Sequence, residues 1–212
     1  MEPIRRKLIL GSFVLATPWR HALAGLAPTP AQTSGPFYPL RMLETDADLT
    51  TLKGREGHAA GQVIQVAGRV LDRDGKPVRG ATVEVWQANS HGRYDHPRDI
   101  NTAAPLDPNF QGFARLVTDA EGRYRFRTIK PGAYPINPVN PGNVRPPHIH
   151  FDIAGKRDHL VTQMYFPGEA LNAGDAIFEA MPAAEREATI ARAQGMTEGA
   201  PLFGWDIVLH AG

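Results

Sequence analysis

Several stretches of the chain alternate apolar and polar residues with a period of two. In Arg123 to Thr128, Tyr124 and Phe126 alternate with three arginines, the pattern of a strand with one buried face. In "HIHFDIAG", Ile149, Phe151 and Ile153 share one face, while His148, His150 and Asp152 share the other. The same reasoning predicts strands over Gln62 to Asp72, Ala81 to Gln87, Phe113 to Asp119, His159 to Phe166 and Gly204 to His210. Turns are expected at Asp74-Gly75 with Pro77, and at Glu121-Gly122. One helix is expected within Asp175 to Ala193, broken or started by Pro182 and continued by Ala184 to Ala193. The resulting picture is mainly β: a β-sandwich with long loops over Ser90 to Gln111 and Lys130 to Pro147, suited to an active site, and one short C-terminal helical region.

Length and composition narrow this picture. With 212 residues the chain is long enough for one domain with a sizeable core. Its 21 glycines and 19 prolines favour many turns between short strands. A formal net charge of +1 gives no reason to expect nucleic acid or an acidic partner. The absence of cysteine removes disulfides, thiolate metal sites and a cysteine nucleophile together, so any metal must be held by His, Tyr, Asp, Glu or backbone oxygen.

Residues 1–24 read as a targeting segment. Arg5, Arg6 and Lys7 precede the apolar run Leu8 to Ala16, and Ala22-Leu23-Ala24 matches a small-residue cleavage site, although Arg20 interrupts the segment. The run is too short to span a bilayer. Paired arginines before Leu8 and Ile9 resemble a twin-arginine signal, which implies export to the periplasm; the alternative is a basic N-terminus on a cytoplasmic protein. After it come an irregular arm over residues 25–61, containing the turn-and-extended segment "TSGPFYP", and the domain over 62–212.

The candidate chemistry starts at "RPPHIHF". Residues two apart on a strand lie about 7 Å apart on one face, so His148 and His150 can converge on one ion. An isolated pair of this kind equally describes the solvent face of an edge strand. No spacing singles out a third histidine among His21, His58, His91, His96, His159 and His210. Tyr94 in "GRYDHP" and Tyr134 in "PGAYP" stand in loops that can display side chains, either as rim aromatics or as ligands. A phenol ionises near pH 10 and becomes a ligand beside a strong Lewis acid, which favours a hard, highly charged ion such as Fe(III).

In order along the chain, "GPFYP", "GRVLDRDGKPVRGATVEVWQANSHGRYDHP", "GFARLVTDAEGRYRFRTIKPGAYP", "RPPHIHF" and "LVTQMYFPG" resemble the intradiol ring-cleavage dioxygenases, and most closely their protocatechuate 3,4-dioxygenase branch. The resemblance covers nearly all of Thr33 to Gly168. It implies non-haem Fe(III) held by Tyr94, Tyr134, His148 and His150, with Tyr134 and His148 axial and Tyr94 and His150 equatorial beside a hydroxide. It also implies that a catechol-type substrate is cleaved by O2 between its hydroxylated carbons, giving a cis,cis-muconate-type diacid. Arg145 would stabilise negative charge on the ring, Gln163 would line the substrate side, and Tyr134 would serve in turn as ligand and base. Trp86 is expected to pack beneath the Tyr94 loop. Where protocatechuate enzymes carry a bulky aromatic after the tyrosine-proline pair, this chain has Ile136, which leaves catechol, hydroxyquinol and substituted catechols open.

Two other readings fit parts of the chain. The segment "GRVLDRDGKPVRGATVEVW" also suits a non-catalytic sandwich of the transthyretin-like or carboxypeptidase-regulatory type, and the histidines alone suit a zinc hydrolase. No membrane span is expected. A homo-oligomer is compatible with the resemblance.

Overall fold

A computed structural model describes residues 25–212; the leader expected over 1–24 lies outside the described residues. The strands are β1 (Val63–Leu71), β2 (Thr82–Trp86), β3 (Phe113–Val117), β4 (Arg123–Ile129), β5 (Tyr134–Pro135), β6 (Val144–Arg145), β7 (His148–Ala154) and β8 (His159–Tyr165). A short helical region follows, with a 3₁₀ turn at Ala170–Gly174, helices α1 (Ala176–Glu179) and α2 (Ala183–Arg186), and a second 3₁₀ turn at Glu187–Thr189. The chain then forms β9 (Arg192–Thr197), β10 (Ala200–Gly204) and β11 (Ile207–Val208). The fold is mainly β, as the alternation predicts.

Two sheets share one core. The first pairs β1 with β4 antiparallel and with β10 and β11 parallel, and β9 closes it against β10. The second runs β3-β2-β7-β8, all antiparallel. The chain therefore changes sheet between β1 and β2, and again between β3 and β4. Ile64, Val66, Tyr124 and Phe126 from the first sheet meet Val83, Val85, Ile149, Phe151 and Ile153 from the second in one buried cluster. Phe151 is central to it. Its ring lies 4.9 Å from Trp205, 5.9 Å from Tyr124 and 6.0 Å from Phe126, so a single β7 side chain ties both layers together.

The C-terminal third departs from the sequence reading. The helical expectation through Ala193 fails. The two helices are one turn each and flank Pro182, and Arg192 onward is strand. Every residue from Arg192 to Met196 is exposed, so β9 lacks the alternation that reveals a strand, while Arg192, Ala193 and Gln194 favour helix by local propensity. Pairing with β10 overrides that propensity, and the turn between them uses Glu198 and Gly199 at φ of 49° and 74°. The last expected strand is divided, with Gly204 ending β10 and only Ile207 and Val208 forming β11. The loop Lys130 to Pro147 also contains the small β5–β6 hairpin, which sets Tyr134 opposite Arg145.

Residues 25–62 contain no strand longer than an isolated bridge and cross both sheets. The Gln32 amide donates to the Val161 carbonyl on one sheet, and the Arg127 amide donates to the Ala47 carbonyl on the other. Among the described residues, no helix is long and apolar enough to cross a membrane.

Removing the Phe151 ring deletes the contact between layers without touching a polar site residue. Phe151→Ala is expected to lower unfolding free energy by about 3–5 kcal/mol in equilibrium denaturation. A loss below about 1 kcal/mol would show that the two sheets are not joined there.

Candidate active site

The site is assembled on the face of the second sheet turned away from the core. Antiparallel register places Phe113, Trp86, His150 and Gln163 side by side across β3, β2, β7 and β8, and pairs His148 with Tyr165 one step along. Because β7 is an interior strand, this face is no solvent-exposed edge. His148 and His150 are each only 1% exposed. Trp86 lies flat on His150, with centroids 4.9 Å apart and planes 7° apart, so it packs as expected and also fixes the imidazole.

Two loops bring the phenols. Tyr94 and Tyr134 are buried and meet edge to face at 5.5 Å, despite forty residues between them in sequence. Glycines permit this approach. A Cβ at Gly92, whose φ is 74°, would overlap the Ala133 carbonyl, and one at Gly132 would sit 2.5 Å from the Ser90 oxygen and the Gly92 nitrogen. The Gly132 amide donates to the Asn89 carbonyl at 2.9 Å, pinning one loop to the other. Asp99 accepts from the Tyr94 amide at 2.8 Å and holds that tyrosine's backbone.

The polar atoms converge. His148 Nε2 lies 3.2 Å from His150 Nε2, 3.4 Å from Tyr134 Oη and 3.2 Å from Arg145 Nη1. His148 Nδ1 donates to the Pro146 carbonyl at 2.7 Å, which leaves Nε2 with its lone pair aimed into the cluster. Tyr94 Oη is buried with no hydrogen-bond partner, and its ring centroid is 6.3 Å from that of His150.

Arg145 is almost completely buried behind the histidines. Its Nε and Nη2 donate to Asp175 at 3.1 and 2.7 Å, and Nη2 also reaches Gln163 Oε1 at 2.9 Å and Tyr165 Oη at 3.2 Å. Gln163 Nε2 donates to the Thr33 carbonyl, so this residue links Arg145 to the arm. The arm closes the site from above. Phe37 lies 4.7 Å from Tyr94 and 6.2 Å from Tyr134, and Gly35 sits over His150.

Electrostatics follow from this burial. Desolvation, then the positive Arg145, push the His148 pKa well below its ordinary value, with the Pro146 bond pulling the other way. His150 is pushed the same way by burial, His148 and Arg145. Burial raises the Tyr94 phenol, with Tyr134 adding to the effect. For Tyr134, burial outweighs the lowering by Arg145. Burial opposes the Arg145 charge, but the Asp175 bond and the neighbouring phenols and carboxylate more than compensate, and its pKa lies above normal. Both imidazoles are thus neutral lone-pair donors at pH 7, and either phenol needs a cation to ionise.

These donors suit a metal ion. Neighbouring ligand atoms bound at about 2.1 Å to one ion lie about 3 Å apart, close to the spacings around His148 Nε2. An ion there would also supply the partner that Tyr94 Oη lacks. No group of three or more His, Asp or Glu side chains able to hold a metal occurs among the described residues, so a metal seat at this cluster would draw on its tyrosines. Among the described residues, no third imidazole joins His148 and His150 for a three-histidine zinc site. His58, His91 and His210 are exposed, His159 pairs with Asp152, and His96 Nδ1 accepts from the Arg98 amide.

The five residues singled out in the sequence, together with Gln163, are therefore brought together. Sequence reasoning missed Asp175, Tyr165 and Phe37 as members of the site. Tyr165 and Phe37 stand inside the motifs "TQMYF" and "GPFYP", which flagged their neighbourhood. Asp175 carries no local signal.

A family model described as "Dioxygenase" matches residues 33–211. The chain is 53% identical over 170 residues to the protocatechuate 3,4-dioxygenase beta chain of Burkholderia cepacia, covering 78% of this chain and 72% of that one. It is 33% identical over 187 residues to the alpha chain from the same organism, covering 84% and 89%. It also superimposes on the dioxygenase domain of a dioxygenase carbohydrate-binding protein fusion from Streptomyces sp. SirexAA-E, with a TM-score of 0.64 and 29% identity, covering 88% of this chain and all of that domain.

The two depressed histidines predict a pH dependence for the metal-free protein. Below about pH 6.5 the unfolded chain takes up imidazole protons that the folded chain refuses, so stability is full above that pH and declines as pH falls. Each histidine contributes a slope of up to about 1.4 kcal/mol per pH unit. Denaturation between pH 7.5 and 5.5 is expected to show this decline, and His148→Gln with His150→Gln is expected to flatten it. A flat wild-type profile would contradict the burial of the pair.

Proposed function

The chain belongs to the intradiol ring-cleavage dioxygenases, which open a catechol ring between its two hydroxylated carbons with O2, and on that premise we propose that Tyr94, Tyr134, His148 and His150 hold one ferric ion. The observation that carries the reading is the meeting of His148 Nε2, His150 Nε2 and Tyr134 Oη within 3.2–3.4 Å, beside the unpartnered Tyr94 oxygen. Two neutral imidazoles and two phenols that ionise only beside a cation form a hard, anionic donor set once loaded, which suits Fe(III). When bound, the ion would supply Lewis acidity toward the catechol and the redox chemistry for reaction with O2.

The protein's own groups divide the remaining work. Tyr134 Oη, whose phenol is raised by burial, would be a strong base as the phenolate and would take one of the two catechol protons, the other passing to a hydroxide. Arg145 keeps its charge in a buried setting and presents Nη1 toward the donor cluster, where negative charge on the opening ring is stabilised by a fixed cation. Gln163 holds Arg145 against the arm, and Phe37 covers the phenols and keeps water away. The product is a cis,cis-muconate-type diacid.

Ile136 follows Pro135 at the β5–β6 hairpin and is half exposed, where protocatechuate enzymes carry a bulky aromatic. This departure keeps catechol, hydroxyquinol and substituted catechols as the candidate substrates. Likeness to both a beta and an alpha chain supports an oligomer. The arginine-led leader in residues 1–24 supports export to the periplasm, with a cytoplasmic enzyme as the alternative.

Iron-loaded protein is expected to be coloured by a tyrosinate-to-iron charge-transfer band, which Tyr94→Phe and Tyr134→Phe each alter. Tyr134→Phe is expected to lower kcat by at least about 100-fold in O2-uptake assays over a panel of catechols. A colourless loaded protein, or a band untouched by both substitutions, would refute the tyrosinate site. Retained activity in a zinc-loaded form would refute the iron requirement.

A further inference from the structure

Asp175 is fully buried and lies against a nearly buried arginine, yet it is no member of the proposed ligand set. Its Oδ1 and Oδ2 take the Nε and Nη2 edge of the Arg145 guanidinium at 3.1 and 2.7 Å, a two-point grip that fixes the plane of the fork. Gln163 Oε1 and Tyr165 Oη add two more acceptors to Nη2, and Tyr165 is itself held between Asp175 Oδ2 and Gln32 Oε1. Three acceptors thus compete for Nη2, whereas Nη1 is turned toward the donor cluster, where it lies 3.2 Å from His148 Nε2 and where the same guanidinium acts on the Tyr134 phenol. Were that His148 lone pair given to a metal, the Nη1 hydrogen directed at it would be freed beside the reacting centre.

We propose that Asp175 is a positioning residue for ring cleavage, holding Arg145 so that its Nη1 edge alone faces the bound catecholate. This rests on the ferric reading above. It gives the short helical region a function. The 3₁₀ turn at Ala170–Gly174 and helix α1 bracket Asp175, whose amide donates to the Asn172 carbonyl, and Asn172 is tied by its side chain to the Phe166 carbonyl at the end of β8. The counter-charge is therefore delivered from the same sheet that carries the histidines, with little freedom to drift.

The test is a cycle of D175N, R145Q and R145Q/D175N; D175N is isosteric, R145Q is shorter but polar, and the double variant leaves no unpaired charge. Three quantities are read: the visible band of iron-loaded protein, its shift on anaerobic titration with catechol, and kcat for catechol. D175N is expected to keep the band and to bind catechol within about threefold of wild type, while kcat falls on the order of 100-fold. In the R145Q background the same substitution is expected to change kcat by less than about twofold, because the group it orients is gone. Wild-type kcat in D175N, or an equal loss in both backgrounds, would overturn the proposal. If D175N does not fold, the double variant measured against R145Q still decides, and any further loss beyond about threefold counts against it. Thermal midpoints of the metal-free proteins give an iron-independent reading. D175N is expected to lose more stability than R145Q/D175N, and equal losses would refute the buried pairing. Loss of the band in wild type would instead sink the ferric reading.

Discussion

A buried guanidinium behind two neutral imidazoles is an expensive arrangement, and the rest of the site is organised around making it tolerable. Arg145 retains its charge because Asp175 grips it and because Gln163 and Tyr165 supply further acceptors. Desolvating two ions is offset only when geometry is close and the remaining donors are satisfied. Burial, aided by the same positive charge, keeps His148 and His150 neutral and therefore available as lone-pair donors. The pairing thus contributes to the protonation state of its neighbours.

The scaffold makes this possible by using the two faces of one strand differently. Toward the core, β7 buries Ile149, Phe151 and Ile153 against the opposite sheet. On its other face, His148 and His150 lie beneath the arm and the two tyrosine loops, with Trp86 stacked on one imidazole. Rigidity on the core side keeps the donors aligned on the other. A close-packed interior transmits little play, which is what a site needing donor atoms about 3 Å apart requires. The loops are long, but Gly92 and Gly132 allow backbone contact between them, so the two phenols are set by packing as much as by loop conformation.

Legibility followed burial pattern. Tyr124 and Phe126 alternate with arginines, which predicts a strand, and β4 keeps that pattern of buried and exposed residues. β9 is not legible, because an edge strand with every residue but its last exposed carries no periodic signal and its first residues, Arg192, Ala193 and Gln194, suggest helix. At the site, His148 and His150 were visible as a pair two residues apart, and the tyrosines and Arg145 stood out through motif resemblance. Asp175 was invisible because a lone carboxylate beside alanines and glycine looks like any exposed loop acid until the fold buries it.

By itself the sequence determined which residues lie on which side of each strand, since strand geometry assigns alternate side chains to opposite faces whatever surrounds them. It thereby determined a mainly β chain with paired imidazoles on one face. Only the tertiary structure decided that this face is buried rather than wet, that two phenols 54 and 14 residues before His148 arrive beside it, and that a carboxylate from the helical region neutralises the arginine. Those outcomes depend on loop closure, glycine-permitted contact and desolvation, which are set by what surrounds a residue in space rather than by its neighbours along the chain.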